Sequence, residues 1–116
     1  MVVMVSAKFS RCFITQLPSA KHDLQVLARF GSLVPLLGRG YFPDDVEIYT
    51  REILASCDKM LIDFNPNTDY IVPLGDSCVV STIAIWLERH GLLPATFLKY
   101  DKKLKGYYNI QIGEKI

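Results

Sequence analysis

Residues 69–77 read Asp69-Tyr70-Ile71-Val72-Pro73-Leu74-Gly75-Asp76-Ser77, and an apolar run to Trp86 follows them. The consecutive apolar residues predict a strand that is covered on both faces of a sheet. Gly75 supplies a turn, and Asp76 or Ser77 supplies the N-cap of the helix that follows. A buried strand that leads through a glycine turn into a capped helix is typical of α/β proteins, which hold ligands at the carboxyl ends of their strands.

The sequence on either side of this unit predicts a regular alternation of strands and helices. Strands are predicted at residues 9–17, 32–37, 70–74, 95–100 and 107–112, and helices at residues 19–28, 43–64 and 77–89. Alternating elements favour a mostly parallel sheet with right-handed crossovers, whereas the short final hairpin makes the last strand antiparallel. Pro35 cannot donate a hydrogen bond to a neighbouring strand and therefore predicts an edge position for the second strand.

We predict a single α/β domain over residues 1–116, built as a small three-layer structure. Its mostly parallel sheet has about five strands in the order 2-1-3-4-5, with the last strand antiparallel and helices packed on it. Residues 1–8 either extend the first strand or are flexible. A chain of 116 residues buries enough surface to fold without a metal ion or a disulfide.

The composition limits the classes of function. The 13 basic and 12 acidic residues give a formal net charge of +1, whereas proteins that grip duplex nucleic acid usually carry a larger basic excess. Hydrophobic residues make up 50% of the chain, which is more than one small core hides. The composition therefore favours a homo-oligomer or a protein partner.

The three cysteines, Cys12, Cys57 and Cys78, are odd in number and too widely spaced for a metal knuckle. They are interpreted as buried small hydrophobic residues in a reducing compartment, with one exposed reactive thiol as the alternative. Residues 1–7 lack the basic region of a signal peptide, and the longest apolar run, residues 78–87, is about half the length of a membrane span. These features predict a cytoplasmic protein that uses no metal, cofactor or membrane.

The predicted strand order changes direction between the first and third strands, which creates a crevice at their carboxyl ends. The candidate ligand-binding residues at this crevice are Thr15, Gln16, Ser19, Gly75, Asp76 and Ser77. The charge of Asp76 disfavours a phosphate and favours a hydroxyl, a ribose or an amine. The alternative is that Asp76 or Ser77 only caps the helix, and the chain has no P-loop lysine.

A glycine loop and the most apolar helix supply candidate protein-contact residues. These residues are Arg39, Tyr41, Phe42 and Trp86. Tyrosine, tryptophan and arginine are enriched among interface hot spots. The alternative for Phe42 is a hydrophobic staple, in which its ring folds onto the helix that follows.

The final hairpin interleaves basic and aromatic residues, a pattern that can bind single-stranded nucleic acid by stacking and phosphate contact. The candidate residues are Lys99, Lys102, Lys103, Lys105 and Tyr107. The alternative is a solvated hairpin tip whose lysines protect an edge strand. This alternative is favoured because the balanced net charge provides no wider basic field.

Catalytic residues are not predicted. His90 suits the last turn of a helix, where a cation complements the helix dipole, and His22 has no partner that faces it. The chain has no nucleophile elbow, no zinc-type histidine spacing and no paired-carboxylate motif, so a non-enzymatic role is favoured.

Several segments in their order along the chain resemble small uncharacterised proteins encoded by tailed bacteriophages and prophages. The matching segments are a strand that ends near Gln16, residues 30–37, Asp63-Phe64, residues 69–76, residues 97–101 and Tyr107-Tyr108. The resemblance implies a phage origin and a shared fold, and it implies no catalytic residue.

Three hypotheses follow from these patterns. The first is a phage-encoded accessory protein that acts by binding a protein, as a homodimer or with a phage or host factor. The second is a small-ligand or nucleotide-binding module that uses the crevice at residues 75–77. The third is a single-stranded nucleic-acid binder that uses the hairpin, for which the near-neutral charge is unfavourable.

Overall fold

The computed structural model describes residues 10–18, 24–38 and 46–113. Its elements in chain order are β1 (Arg11–Ile14), a 3₁₀ helix (Leu24–Arg29), β2 (Ser32–Pro35), α1 (Val46–Met60), β3 (Tyr70–Val72), α2 (Ser77–Arg89), β4 (Ala95–Asp101) and β5 (Gly106–Ile112).

The five strands form one sheet in the order β2-β1-β3-β4-β5. The neighbouring pairs are parallel except β4 and β5, which pair antiparallel with Phe97 opposite Ile110. The predicted α/β class, strand order and antiparallel last strand are confirmed. The predicted edge position of the strand that contains Pro35 is also confirmed, since β2 lies at one end of the sheet.

The side chains of the strands alternate between two apolar layers, because successive residues of a strand point to opposite faces. Phe13 and Ile71 lie in the layer under α1 and α2, together with Ile53 and Ile83 from those helices. The layer on the opposite face includes the 3₁₀ helix and is centred on buried residues Cys12, Ile14, Leu27, Val72 and Leu98. The sheet is therefore covered on both faces, as the consecutive apolar residues of β3 predict.

Several predicted boundaries differ from the structure. The helix predicted at residues 19–28 is a six-residue 3₁₀ helix that begins at Leu24 within the described residues. The strand predicted at residues 70–74 ends at Val72, because Pro73 follows and the Leu74 amide bonds to the Val72 carbonyl and the Thr15 hydroxyl instead of a neighbouring strand. The prediction for residues 1–8 lies outside the described residues.

A charged cluster joins the start of β1 to the loop that precedes β3. Asp69 is 2% exposed and accepts hydrogen bonds from the backbone amide of Arg11 at 3.0 Å, the Arg11 guanidinium at 2.8 Å and the backbone amide of Asn65 at 2.9 Å. Arg11 also bonds Asp63, which is well exposed. The hydrogen bond to Asp69 is the main cause that raises the pKa of Arg11. Both carboxylate oxygens of Asp69 accept hydrogen bonds. Those from Arg11 hold the start of β1 beside the loop that precedes β3.

Candidate functional site

The carboxyl ends of β1 and β3 meet at the predicted crevice, where they are joined by hydrogen bonds. The Thr15 hydroxyl donates to the Leu74 carbonyl and accepts from the Leu74 amide, and the Thr15 amide donates to the Val72 carbonyl. Thr15 is fully buried. The side chain of Thr15 therefore connects the two strands at this point.

Gln16 and Gly75 form the second half of this junction. The Gln16 side-chain oxygen accepts from the Asp76 amide at 2.9 Å, and Gln16 is 3% exposed. Gly75 has φ +92°, and a Cβ at Gly75 would lie 2.5 Å from the Cβ of Gln16. The structure thus brings four of the six candidate ligand residues together, with Thr15 and Gln16 buried beneath the turn. Ligand binding by these residues stays a prediction.

Asp76 acts as the N-cap of α2, since its carboxylate accepts from the Cys78 amide at 2.7 Å. On α1, burial raises the pKa of the Tyr49 hydroxyl, and the negative charge of Asp76 raises it further. Ser77 is exposed as the first residue of α2, whereas Ser19 lies outside the described residues. The cap accounts for the conformation of Asp76 without a ligand.

We expect Gly75→Ala to lower the free energy of unfolding by about 2–3 kcal/mol, because the left-handed backbone and the contact with Gln16 both oppose a Cβ. Gly91→Ala is the matched control: Gly91 has φ +67° but open space around it, so about 1 kcal/mol is expected. Urea unfolding of both variants measures the difference. Equal losses would show that Gln16 does not pack closely under the turn.

An open crevice of about 540 Å³ lies beside the junction, between the start of α2 and the end of β4. Its lining includes Gly75, Ser77, Ser81, Lys99 and Lys102. No carboxylate among the described residues lies within ion-pair distance of either lysine. One basic crevice is therefore lined by candidate ligand-binding residues, Gly75 and Ser77, and by candidate nucleic-acid-binding residues, Lys99 and Lys102.

The remaining hairpin residues do not share one surface. Lys102, Lys103 and Lys105 are exposed in the turn between β4 and β5, where the Asp101 carboxylate accepts from the Lys103 amide at 2.8 Å. Tyr107 packs against the apolar layer on the 3₁₀-helix face. Tyr108, opposite Lys99 on the other face, was not predicted as a site residue. Nucleic-acid binding by the hairpin stays a prediction.

Trp86 lies between the two helices, and only 5% of it is exposed. Its indole nitrogen donates to the Asp58 carboxylate at 2.8 Å, and its ring stacks on His90 with centroids 3.9 Å apart. Trp86 and His90 line a surface cleft together with Ile62, which is 79% exposed. The other three predicted protein-contact residues, Arg39, Tyr41 and Phe42, lie outside the described residues.

The cysteines are separated in the fold. Burial raises the pKa of Cys12 to about 11 and of Cys57 to about 12, whereas Cys78 is exposed. In the described part of the chain, no group of three metal-ligating side chains is close enough to hold an ion. Neither α1 nor α2 has the length and apolar content required to cross a bilayer.

The edge of the sheet at β5 was not predicted as a site. β5 has seven residues and pairs only with β4 within the described chain. Residues 106–112 contain no charged residue and no proline, and Tyr108 and Ile112 are each more than one-third exposed. The sequence shows this absence of charge, but it indicates an edge position only for β2, through Pro35.

The comparisons with known proteins give one match. Neither a curated protein nor a solved structure matches the chain. The family model described as phage Pam3 gp32-like protein matches residues 10–114, which include every element described above. The match confirms the resemblance to small phage proteins, and the chain belongs to the phage Pam3 gp32-like protein family.

Proposed function

We propose that this phage protein is an accessory protein that acts by binding a protein through the open edge of β5. In this mode a strand of the partner adds to the sheet, so that backbone hydrogen bonds supply affinity and side-chain contacts supply specificity. The observation that carries the proposal is the seven-residue uncharged edge strand.

The contrast between the two edges of the sheet supports this choice. Native proteins usually protect edge strands by shortness, proline or charge, because unpaired backbone groups template association. β2 has four residues and ends at Pro35, so it carries two of these protections. β5 carries none of them along its length, and the nearest charged residues in the sequence are Lys105 before it and Glu114 after it.

Affinity capture from extracts of infected host cells tests the proposal. The baits are the wild-type chain, Ile110→Lys in the middle of β5, and Leu104→Lys in the turn. Leu104 is 74% exposed and lies outside the strand, so it controls for the same change in charge. We expect wild type and Leu104→Lys to retain the same proteins and Ile110→Lys to lose them.

The proposal is contradicted if all three baits capture the same proteins and have the same mass in solution. Circular dichroism spectra of the baits establish that each variant is folded. If Ile110→Lys is unfolded, Tyr108→Lys replaces it, because Tyr108 is 39% exposed on the same strand.

A second candidate function is the binding of a small anion, such as the phosphate of a nucleotide, in the crevice with Lys99 and Lys102. The crevice volume of about 540 Å³ is within the range of small-molecule sites. The two lysines give this crevice positive charge, which favours an anion. Asp76 already caps the helix and does not line the crevice.

A thermal-shift series with nucleotides and inorganic phosphate tests the crevice. A saturating ligand raises the melting temperature because it binds only the folded chain. We expect the shift to disappear in Lys102→Ala and to persist in Lys59→Ala, which removes the same charge from the exposed end of α1. A shift of equal size in both variants, or none in the wild type, would contradict this candidate.

A further inference from the structure

The open edge of β5 has two distinct faces. Residues opposite one another in an antiparallel pair share a face of the sheet. Ile112 lies opposite Ala95, Ile110 opposite Phe97 and Tyr108 opposite Lys99. Ala95 and Phe97 belong to the layer under α1 and α2. The strip of Tyr108, Ile110 and Ile112 therefore lies on that face, with Asn109 and Gln111 on the other face.

We infer that the strand added to β5 is the β5 of a second copy of this chain, in antiparallel orientation around a two-fold axis at Ile110. This inference rests on the proposed function, because it names the occupant of the same edge. The two five-stranded sheets then become one continuous sheet across the dimer. An isologous contact of this kind requires that the strand be complementary to itself.

The sequence of β5 meets this requirement on both faces. In the register centred on Ile110, that residue lies opposite its own equivalent, and Tyr108 lies opposite Ile112 of the second copy. Asn109 lies opposite Gln111 of the second copy, so that amide groups meet amide groups on the other face. Apolar side chains thus meet only apolar side chains, although two of the three are more than one-third exposed in the single chain.

The charges of the hairpin also favour an antiparallel second copy. Strand β5 contains no charged residue, so no like charges oppose one another along the pair. The basic turns with Lys102, Lys103 and Lys105 lie at opposite ends of the paired strands, at least roughly 20 Å apart for a strand of this length. That separation exceeds the Debye length of about 8 Å at physiological ionic strength, so the two turns do not repel strongly.

Light scattering during size-exclusion chromatography tests the inference over a concentration series. We expect the wild-type chain to have about twice the chain mass of 13.1 kDa. Ile110→Lys places two cations opposite each other and is expected to give a monomer. Leu104→Lys changes charge outside the strand and is expected to stay dimeric. Circular dichroism establishes that the monomeric variant is folded.

A charge pair tests the register itself and does not depend on Ile110→Lys being folded. Tyr108→Lys alone is expected to weaken the dimer, because the new lysine faces the apolar Ile112 of the second copy as well as Lys99 of its own chain. The double variant Tyr108→Lys/Ile112→Glu is expected to restore it, since each new cation faces a new anion across the axis. Within one chain these two positions are four residues apart along the strand, too far to pair with each other.

Failure of the inference differs from failure of the proposed function. A wild-type mass of 13.1 kDa at every concentration overturns the inference, but the proposed function survives if capture still depends on Ile110. If Ile110→Lys remains dimeric, the interface lies elsewhere and the inference is wrong. If the double variant is no more dimeric than Tyr108→Lys alone, the register is wrong and the inference is also overturned.

Discussion

Asp69→Ala is expected to lower the free energy of unfolding by about 2–4 kcal/mol, because it leaves two backbone amides without their acceptor and removes one partner of a partly buried ion pair. Asp69 is 2% exposed and accepts from two backbone amides as well as from the Arg11 guanidinium. In the variant those amides lose their acceptor, and the guanidinium keeps only its bonds to Asp63. Urea unfolding followed by the fluorescence of Trp86, the single tryptophan, measures the loss.

Asp63→Ala is the matched control for this prediction. The Asp63 carboxylate bonds the same guanidinium at 3.0 Å, but its side chain is 70% exposed. Solvent screens such pairs, so its removal is expected to cost less than about 1 kcal/mol. Losses of similar size in the two variants would show that the burial of Asp69 does not increase its contribution to stability.

Trp86→Ala is expected to lower the free energy of unfolding by about 3–5 kcal/mol, because it leaves a large cavity between α1 and α2. Trp86 is 5% exposed, and its indole nitrogen donates to Asp58 at 2.8 Å. Unfolding is followed by circular dichroism, since the variant lacks the fluorophore. If Trp86 served mainly as a surface contact, its replacement by alanine would lower the free energy of unfolding far less.

Trp86→Phe separates packing from the hydrogen bond. Phenylalanine retains part of the ring volume but cannot donate to Asp58, and a loss of about 1–2 kcal/mol is expected. Asp58→Asn keeps an acceptor oxygen at this position and is expected to change stability less than Trp86→Phe does. The explanation by packing fails if Trp86→Ala and Trp86→Phe are equally stable.

The strand order was predictable because each strand and helix has its own local sequence pattern. The consecutive apolar residues around Ile71, the helix that ends before Asn65 and the proline at position 35 each indicate one element or one edge, and the structure confirms the resulting strand order. Boundaries were less predictable. The end of β3 at Val72 depends on Thr15, whose hydroxyl occupies the Leu74 amide.

Asp69 shows why part of the fold could not be predicted. In the sequence it is an acidic residue directly before the strand predicted at residues 70–74, and no pattern around it indicates burial. Its amide partner Asn65 is local, but its burial and its bonds to Arg11 involve a residue 58 positions away in the chain. Local patterns do not report such a pairing, because it exists only once β1 and β3 lie side by side.

The candidate sites illustrate the same distinction. Thr15, Gln16, Gly75 and Asp76 were predicted to meet, and they do, because the carboxyl ends of adjacent parallel strands share one edge. The approach of Lys99 and Lys102 to Gly75 and Ser77 was not predicted, since it depends on how far β4 extends beyond β3. The uncharged β5 acquires significance only when the topology places it at an edge.

Residue-resolved amide hydrogen exchange over residues 106–112 tests most directly whether the outer edge of β5 is paired with another strand in solution. In a strand paired on one side, alternate amides point outward and exchange quickly. We predict that the wild-type chain protects consecutive amides along β5, and that folded Ile110→Lys shows fast exchange at alternate positions. The same pattern in both proteins, whether alternating or continuous, would contradict strand addition at this edge.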